Sequence, residues 1–473
     1  MNERKMAKTE VFRNASVPKA VVSNALPAMA AMLMVLIYNI ADTFFIGQTG
    51  DALQVAAVSL ATPVYLIFMT LGTVFGIGGT SLISRSLGAG RQEYAKHICA
   101  FCFWGCIFSG IGLLVLMFVF MEQILVLIGA SSETFPLAES YLSIVCCCGP
   151  LVILCNCFSN ILRAEGQSGK GMMGMTLGNL ANVVLDPIFI LAFGWGISGA
   201  AVATVLGNIV GAGYYLLYFL RGKSSLSISI REAKLGDGIC KGVLAIGIPA
   251  AIGDLMMSVS QIVANAQMTA YGDMAVAGLG VAMKVSMMTG MVCIGLGQGV
   301  QPLLGFCYGA NLRDRYRKSL RFSIVFAFSI STSLTILCYV FTSQIVGAFL
   351  TEPSAFDSAL EFSRILLTTS FLFGAFYVTI NALQSLGAAT ESLIVSLSRQ
   401  GIIYLPALFI LQQFMGMDGI LWAQPVADVL SLALAIVLYR HTRKSKWAGM
   451  DGKEKIGNGP KVSSGVASEG DAS

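Results

Sequence analysis

Apolar runs of about twenty residues or more recur along this chain, separated by short polar segments. They fall at roughly 21–46, 54–83, 95–120, 137–162, 171–193 and 197–220, and again at roughly 241–270, 275–305, 320–341, 358–385, 392–414 and 418–440. At about 1.5 Å per residue, each run is long enough to cross a hydrocarbon core of about 30 Å as a helix. Inside lipid only helices and closed barrels satisfy every backbone polar group, and these runs are too long for barrel strands. The pattern predicts an all-α integral membrane protein with twelve transmembrane helices.

Composition agrees. The 473 residues are 56% hydrophobic and 12% charged, with a mean hydropathy of +0.76, whereas soluble domains carry about 25% charged residues. Such a chain cannot cover its own surface with polar groups. The lysines and arginines give a separate check. Of the 30, all but Lys284, Arg364 and Arg399 lie in the N-terminal segment, the even-numbered loops or the C-terminal segment. Odd loops such as QTGDALQ carry none. By the positive-inside rule both termini face the cytoplasm, as expected of a multi-pass cell-membrane protein. Residues 1–20 read as a cytoplasmic segment without a cleavable signal, 221–240 as a cytoplasmic linker, and 442–473, Gly/Ser-rich and polar towards its end, as a disordered cytoplasmic tail. The net charge of +5 is spread over loops and tails, which argues against nucleic-acid binding. The twelve cysteines lie mostly within apolar runs and only two histidines occur, so no Cys/His metal or redox site is expected and no cofactor is implied.

The two sets of six runs repeat each other. Pro27 in NALPAMAAML answers Pro249 in GIPAAIGDLM, and Gly50-Asp51 answers Gly272-Asp273. Asn160 to Gly166 answers Asn381 to Gly387, LDPIFI answers LPALFI, and Gly199 answers Gly419. The offset holds at 220–222 residues throughout. Six spans separate equivalent points, so both halves share one orientation. They are expected to form two six-helix bundles, 21–220 and 241–441, related by a pseudo-twofold axis along the membrane normal, with a substrate path between them.

A carboxylate at the bilayer centre costs about 2.5–3.5 kcal/mol on insertion scales, so each one needs a reason. Asp42 lies late in the first run and Asp186 within the fifth, just before Pro187. Asn182 stands one helical turn before Asp186, and Thr204 in the sixth run can add an oxygen. The second half has Ala264 and Pro406 or Ala407 at the matching positions, which suggests a single ion site. Two nearby carboxylates out of water suit a proton acceptor, or a hard-oxygen site for Na⁺ with Asn182 and Thr204. A structural Asp bonded to backbone freed by Pro187 is the plain alternative. Asp254, Lys284 and Asp428 fall in second-half spans, where pairing with one another and lining a cavity are both open. Arg399 reads as snorkelling or capping, and Arg163 with Glu165 as an ion pair at a helix end. Met283, Met287 and Met291 recur every fourth residue, a stripe that suits adaptable binding or plain packing. Pro27 permits a bend in the helix that carries Asp42.

The strings ALPAMAAML, ADTFFIG, PVYLIFMTLGTVFGIGG, SRSLGAG, ILRAEGQ and LDPIFI followed by GISGAA, taken in order, resemble the multidrug and toxic compound extrusion (MATE) family over residues 15–445, in its DinF/MepA-like branch. The resemblance implies a V-shaped pair of six-helix bundles, acting as a monomer, that exports cationic or amphiphilic organic compounds by exchange with H⁺ or Na⁺. It implies ion coupling at Asp42, Asn182, Asp186 and Thr204, with Tyr141 a further contact. The substrate cavity would then draw on Tyr141, Asp254, Met283, Lys284, Met287 and Met291, with Pro27 a hinge. The alternative is a flippase for lipid-linked oligosaccharides or lipids. An enzyme is disfavoured by the lack of any nucleophile–base or metal-ligand set.

Overall fold

The computed structural model describes residues 9–349 and 353–457, and among these it contains helices and no strands. Eleven helices are long and apolar enough to cross a membrane. A twelfth crossing is made by Phe135–Cys147 and Gly149–Ala164, a pair bent by 53°. Pro150, at the start of the second member, fits a helix's first turn but cannot continue the ladder of the preceding one. The twelve spans are numbered here in chain order, the first being Val17–Gly47, the second Ala52–Gly88 and the third Gln92–Val119. The bent pair is the fourth. The fifth runs through Ser168–Asp186 into a π-helical segment, Pro187–Ala192, and the sixth is Gly196–Leu220.

The second half repeats this plan. Its seventh, eighth and ninth spans are Ile239–Met268, Asp273–Gly309 and Arg313–Val340. The tenth combines Pro353–Leu367 with Phe373–Ser385. The eleventh is Ala389–Leu397, a π segment Ser398–Ile402 and Tyr404–Met415, and the twelfth is Met417–Gly457. That last helix carries straight on through 442–457, which the sequence reads as part of a disordered tail; residues 458–473 lie outside the described residues. The helix is held down by Trp447, whose ring meets Tyr308 and Tyr316 and stacks under Arg313.

The pseudo-twofold relation shows in how the halves engage. The first span packs on the eighth, and reciprocally the seventh packs on the second. The second and eighth cross one another. Glycines make these approaches possible. A Cβ on Gly247 would lie 1.9 Å from the Val74 carbonyl oxygen, and one on Gly295 would lie 2.7 Å from that of Ala28. At the crossing, a Cβ on Gly88 would stand 2.2 Å from the Phe306 oxygen and one on Gly309 would stand 2.0 Å from the Arg85 oxygen. In lipid, where apolar burial gives helices little reason to associate, such close backbone packing supplies the contact energy. The crossing lies at the ends of the spans that carry the basic loops.

Each half also reaches across with the segment preceding its first helix. The short helix Glu10–Asn14 is held by Arg315 of the ninth span, which donates to the carbonyls of Phe12 (2.6 Å) and Ala15 (2.6 Å). The linker is held by the third span in the same way. Tyr94 donates to Asp237 O (2.8 Å), Trp104 to Ile228 O (3.2 Å), and His97 Nδ1 lies 2.8 Å from Glu232 O.

Candidate functional site

The fifth span sets the site. Gly174, Gly178, Asn182 and Asp186 follow one another every fourth residue, so they share a face. That face meets Gly207 and Gly211 of the sixth span. A Cβ on Gly178 would lie 2.8 Å from the Gly207 oxygen, and one on Gly207 would lie 2.7 Å from the Gly178 oxygen. The missing side chains bring the two backbones together and leave Asn182 facing Thr204. Asn182 Nδ2 donates to Thr204 Oγ1 at 3.3 Å. Pro187 then ends the α-helical ladder immediately after Asp186. It has no N–H to donate, and the chain continues in the wider π turn.

Asp186 is fully buried (0% exposed), and neither carboxylate oxygen has a hydrogen-bond partner among the described residues. Asp42, on the first span, lies within electrostatic reach of it and has its own buried, unpartnered Oδ1. Tyr141 of the fourth span is in reach of both carboxyls. Asn182 keeps an unpartnered buried Oδ1 as well. The structure thus brings Asp42, Asn182, Asp186, Thr204 and Tyr141 into one cluster. Tyr38 and Tyr65, which the sequence analysis missed, join it. Tyr38 stands one turn before Asp42 with its hydroxyl towards Thr204, while that of Tyr65 is towards Asn208. The spacing of four between Tyr38 and Asp42 is the signal that could have found the first. An adjoining cavity in this half is lined by Asn39, Asn156, Asn179, Asn182 and Asn208 with Tyr38 and Tyr65.

At the matching depth the second half is built differently. Ala264 stands where the first half has Asp42, and lines a cavity with Met283, Met287 and Met291. Lys284 is a correction. One residue out of phase with the methionine stripe, it points away from the cavity, is exposed, and holds its ammonium 5.3 Å from the Phe349 ring centre. Asp254 lines an adjoining cavity with Gln298, Asn381 and Arg399. Asp428 pairs with neither Asp254 nor Lys284. It accepts from Arg399 Nε at 2.8 Å, and Arg399, 7% exposed, is buried rather than snorkelling.

Arg163 does not pair with Glu165. Its Nη1 donates to Gln298 Oε1 of the eighth span at 2.7 Å and its Nη2 to Ser159 Oγ at 2.6 Å. Glu165 instead accepts from the hydroxyls of Ser224 (2.9 Å) and Ser225 (2.7 Å) in the linker. The helix through Pro27 is continuous.

With this geometry described, comparison with known proteins is direct. The MatE family model matches the chain twice, at residues 27–188 and 249–410, one match in each half. The chain is 30% identical over 429 residues to the multidrug export protein MepA of Staphylococcus aureus strain MRSA252, covering 90% of this chain and 95% of that one. It is 29% identical to the protein of the same name from Staphylococcus saprophyticus, over 90% and 95%. Among solved structures, one described as the outward-facing conformation of a multidrug resistance MATE family transporter superposes with a TM-score of 0.87 at 24% identity, over 93% of this chain and 98% of that one. That likeness establishes the fold.

Proposed function

Since the chain belongs to the MatE family, matched in both halves, we propose that it is a secondary active exporter of cationic or amphiphilic organic compounds, driven by H⁺ or Na⁺ moving inward through the first half. The name of the 30% identical relative, a multidrug export protein, supports export of drugs. The observation that carries the coupling is Asp186 within electrostatic reach of Asp42, with three buried carboxylate oxygens lacking a donor among the described residues. An ionised carboxylate so placed is expensive, and is relieved by a proton or by a cation that the oxygens of Asn182 and Thr204 can help to hold.

Only the first half is built this way, so gain and loss of the ion changes the packing of one bundle. The ion-loaded cluster is electrically satisfied and compact. The empty cluster holds two like charges that favour another arrangement of the first, fifth and sixth spans. With the basic loops in the cytoplasm, the crossing of the second and eighth spans closes the cytoplasmic side. Ion entry from outside then favours substrate release there, and substrate arriving from the cytoplasm favours ion loss. The continuous first span is one arrangement of a helix that Pro27 leaves short of a backbone bond.

The test is Asp186→Asn in everted membrane vesicles. Wild type is expected to accumulate a fluorescent organic cation when a pH or Na⁺ gradient is imposed, and the variant, present at equal level in the membrane, is expected to show none. Imposing the gradients one at a time identifies the ion. Undiminished accumulation by the variant would overturn the coupling role.

A further inference from the structure

The Arg399–Asp428 pair occupies positions where the first half, 220 residues earlier, has Asn179 and Asn208. Neutral amides therefore suffice for the fold at that place, and the charge in the second half calls for a separate reason. Its geometry supplies one. Asp428 grips the guanidinium at Nε alone (2.8 Å), because its other oxygen is taken by Thr369 Oγ1 (2.9 Å) and Gln424 shares the first (2.9 Å). Arg399 Nη1 donates to the Tyr377 hydroxyl (2.9 Å). Nη2 has no acceptor among the described residues, whose bonds to this guanidinium use Nε and Nη1.

The guanidinium lies over aromatic rings, its Cζ 4.5 Å from the Phe373 ring centre, 5.1 Å from that of Phe376 and 5.4 Å from that of Tyr377. Arg399 forms part of the wall of both second-half cavities, which share Met257, Ile294, Tyr377 and Gln400 and so adjoin. One is the cavity lined by Met283, Met287 and Met291. The other holds Asp254, which like Arg399 lies within electrostatic reach of Tyr377. A fixed planar cation with a spare donor edge, one aromatic side chain from a carboxylate, gives the cavity two poles.

We propose that Arg399 anchors a carboxylate on the transported molecule, with its aromatic body against the methionine wall and its positive end towards Asp254. The class selected is the zwitterionic aromatic amphiphile. Arginine suits this because its fork of donors matches a carboxylate, and its ion pair and aromatic platform fix the fork in advance. The inference deepens the export reading and rests on it, while its test reads binding and needs no transport.

Rhodamine 110 and its methyl ester, rhodamine 123, share one ring system, and only the former has a free carboxylate. Their affinities for the purified full-length protein are measured by fluorescence anisotropy. Wild type is expected to bind both. Arg399→Gln is expected to weaken rhodamine 110 about tenfold, the scale of a lost hydrogen bond to a charged group, and rhodamine 123 by less than about twofold. Arg399→Lys keeps the charge opposite Asp428 without the fixed fork, and covers the case in which the first variant does not fold. It is expected to lower the rhodamine 110 affinity several-fold and leave rhodamine 123 unchanged. A folded variant that shifts both dyes equally or neither, or a wild type that binds neither, would overturn the proposal. Wild-type vesicles that accumulate no dye under either gradient, with the dye ratio intact, would instead fault the export reading alone.

Discussion

At the scale of single residues, the chemistry stands out where a polar group lies in an apolar run without an ordinary reason. Asp186 was legible for that reason, as were Asn182 one turn earlier and Asp42. The membrane makes each costly, so their presence is informative. Tyr38 left only its spacing of four from Asp42, and Tyr65 and Arg399 were not legible, because tyrosine is common in spans and an arginine's partner is set by packing between distant helices. Lys284 shows the converse error, since charge within a span does not say which face it takes. Two predictions belong here. Thr204→Val removes the hydroxyl that accepts from Asn182. It should raise the ion concentration giving half-maximal export by about tenfold, on the scale of one hydrogen bond to a charged site, with the maximal rate kept, as read from rate against ion concentration. Lys284→Ala should leave export within about twofold of wild type in the same assay, since loss of an exposed cation–π contact costs about 0.5–1 kcal/mol.

Among the helices, run length located all twelve spans, to within about five residues except at the start of the ninth and the end of the twelfth, since the bilayer fixes how much apolar chain a crossing needs. The breaks inside them were harder to see. The 53° bend before Pro150 and the π segment at Pro187 follow from proline's missing donor. The π segment at Ser398–Ile402 contains no proline and left no mark in the sequence. The extension past 441 was missed because its polar composition hides the anchoring by Trp447, which depends on rings from the eighth and ninth spans. The glycines make a prediction at this scale. Gly309→Val places carbon against the Arg85 carbonyl at the crossing, and should destabilise the purified protein by about 1–3 kcal/mol, the usual cost of overpacking. A Cβ on Gly112 would meet no other side chain or neighbouring helix within 4 Å. Gly112→Ala should be neutral or stabilising by up to about 1 kcal/mol, from helix propensity. Thermal unfolding in detergent separates the two.

For the whole molecule, the repeat was the most productive sequence signal, because an even number of spans between equivalents fixes the relative orientation of the halves. What the repeat could not show is that the halves interlock, with the first span on the eighth, the seventh on the second, and each leading segment strapped to the other half. That arrangement joins the halves at the basic-loop end. Ser81 Oγ donates across it to the Gln384 carbonyl at 2.5 Å. Cysteines at 81 and 384 joined by a short bifunctional cross-linker should therefore lower transport to less than about a tenth, by blocking a required opening, with recovery when the linker is cleaved.

The central claim is that a cation bound at Asp42 and Asp186 exchanges for substrate. It is tested most directly in proteoliposomes with no imposed gradient, by adding substrate to one side and recording H⁺ and Na⁺ movement from the other. The account predicts substrate-driven counterflow of one of these ions in wild type and none in Asp186→Asn. Equal counterflow in both, or substrate movement in wild type with neither ion moving, would contradict it.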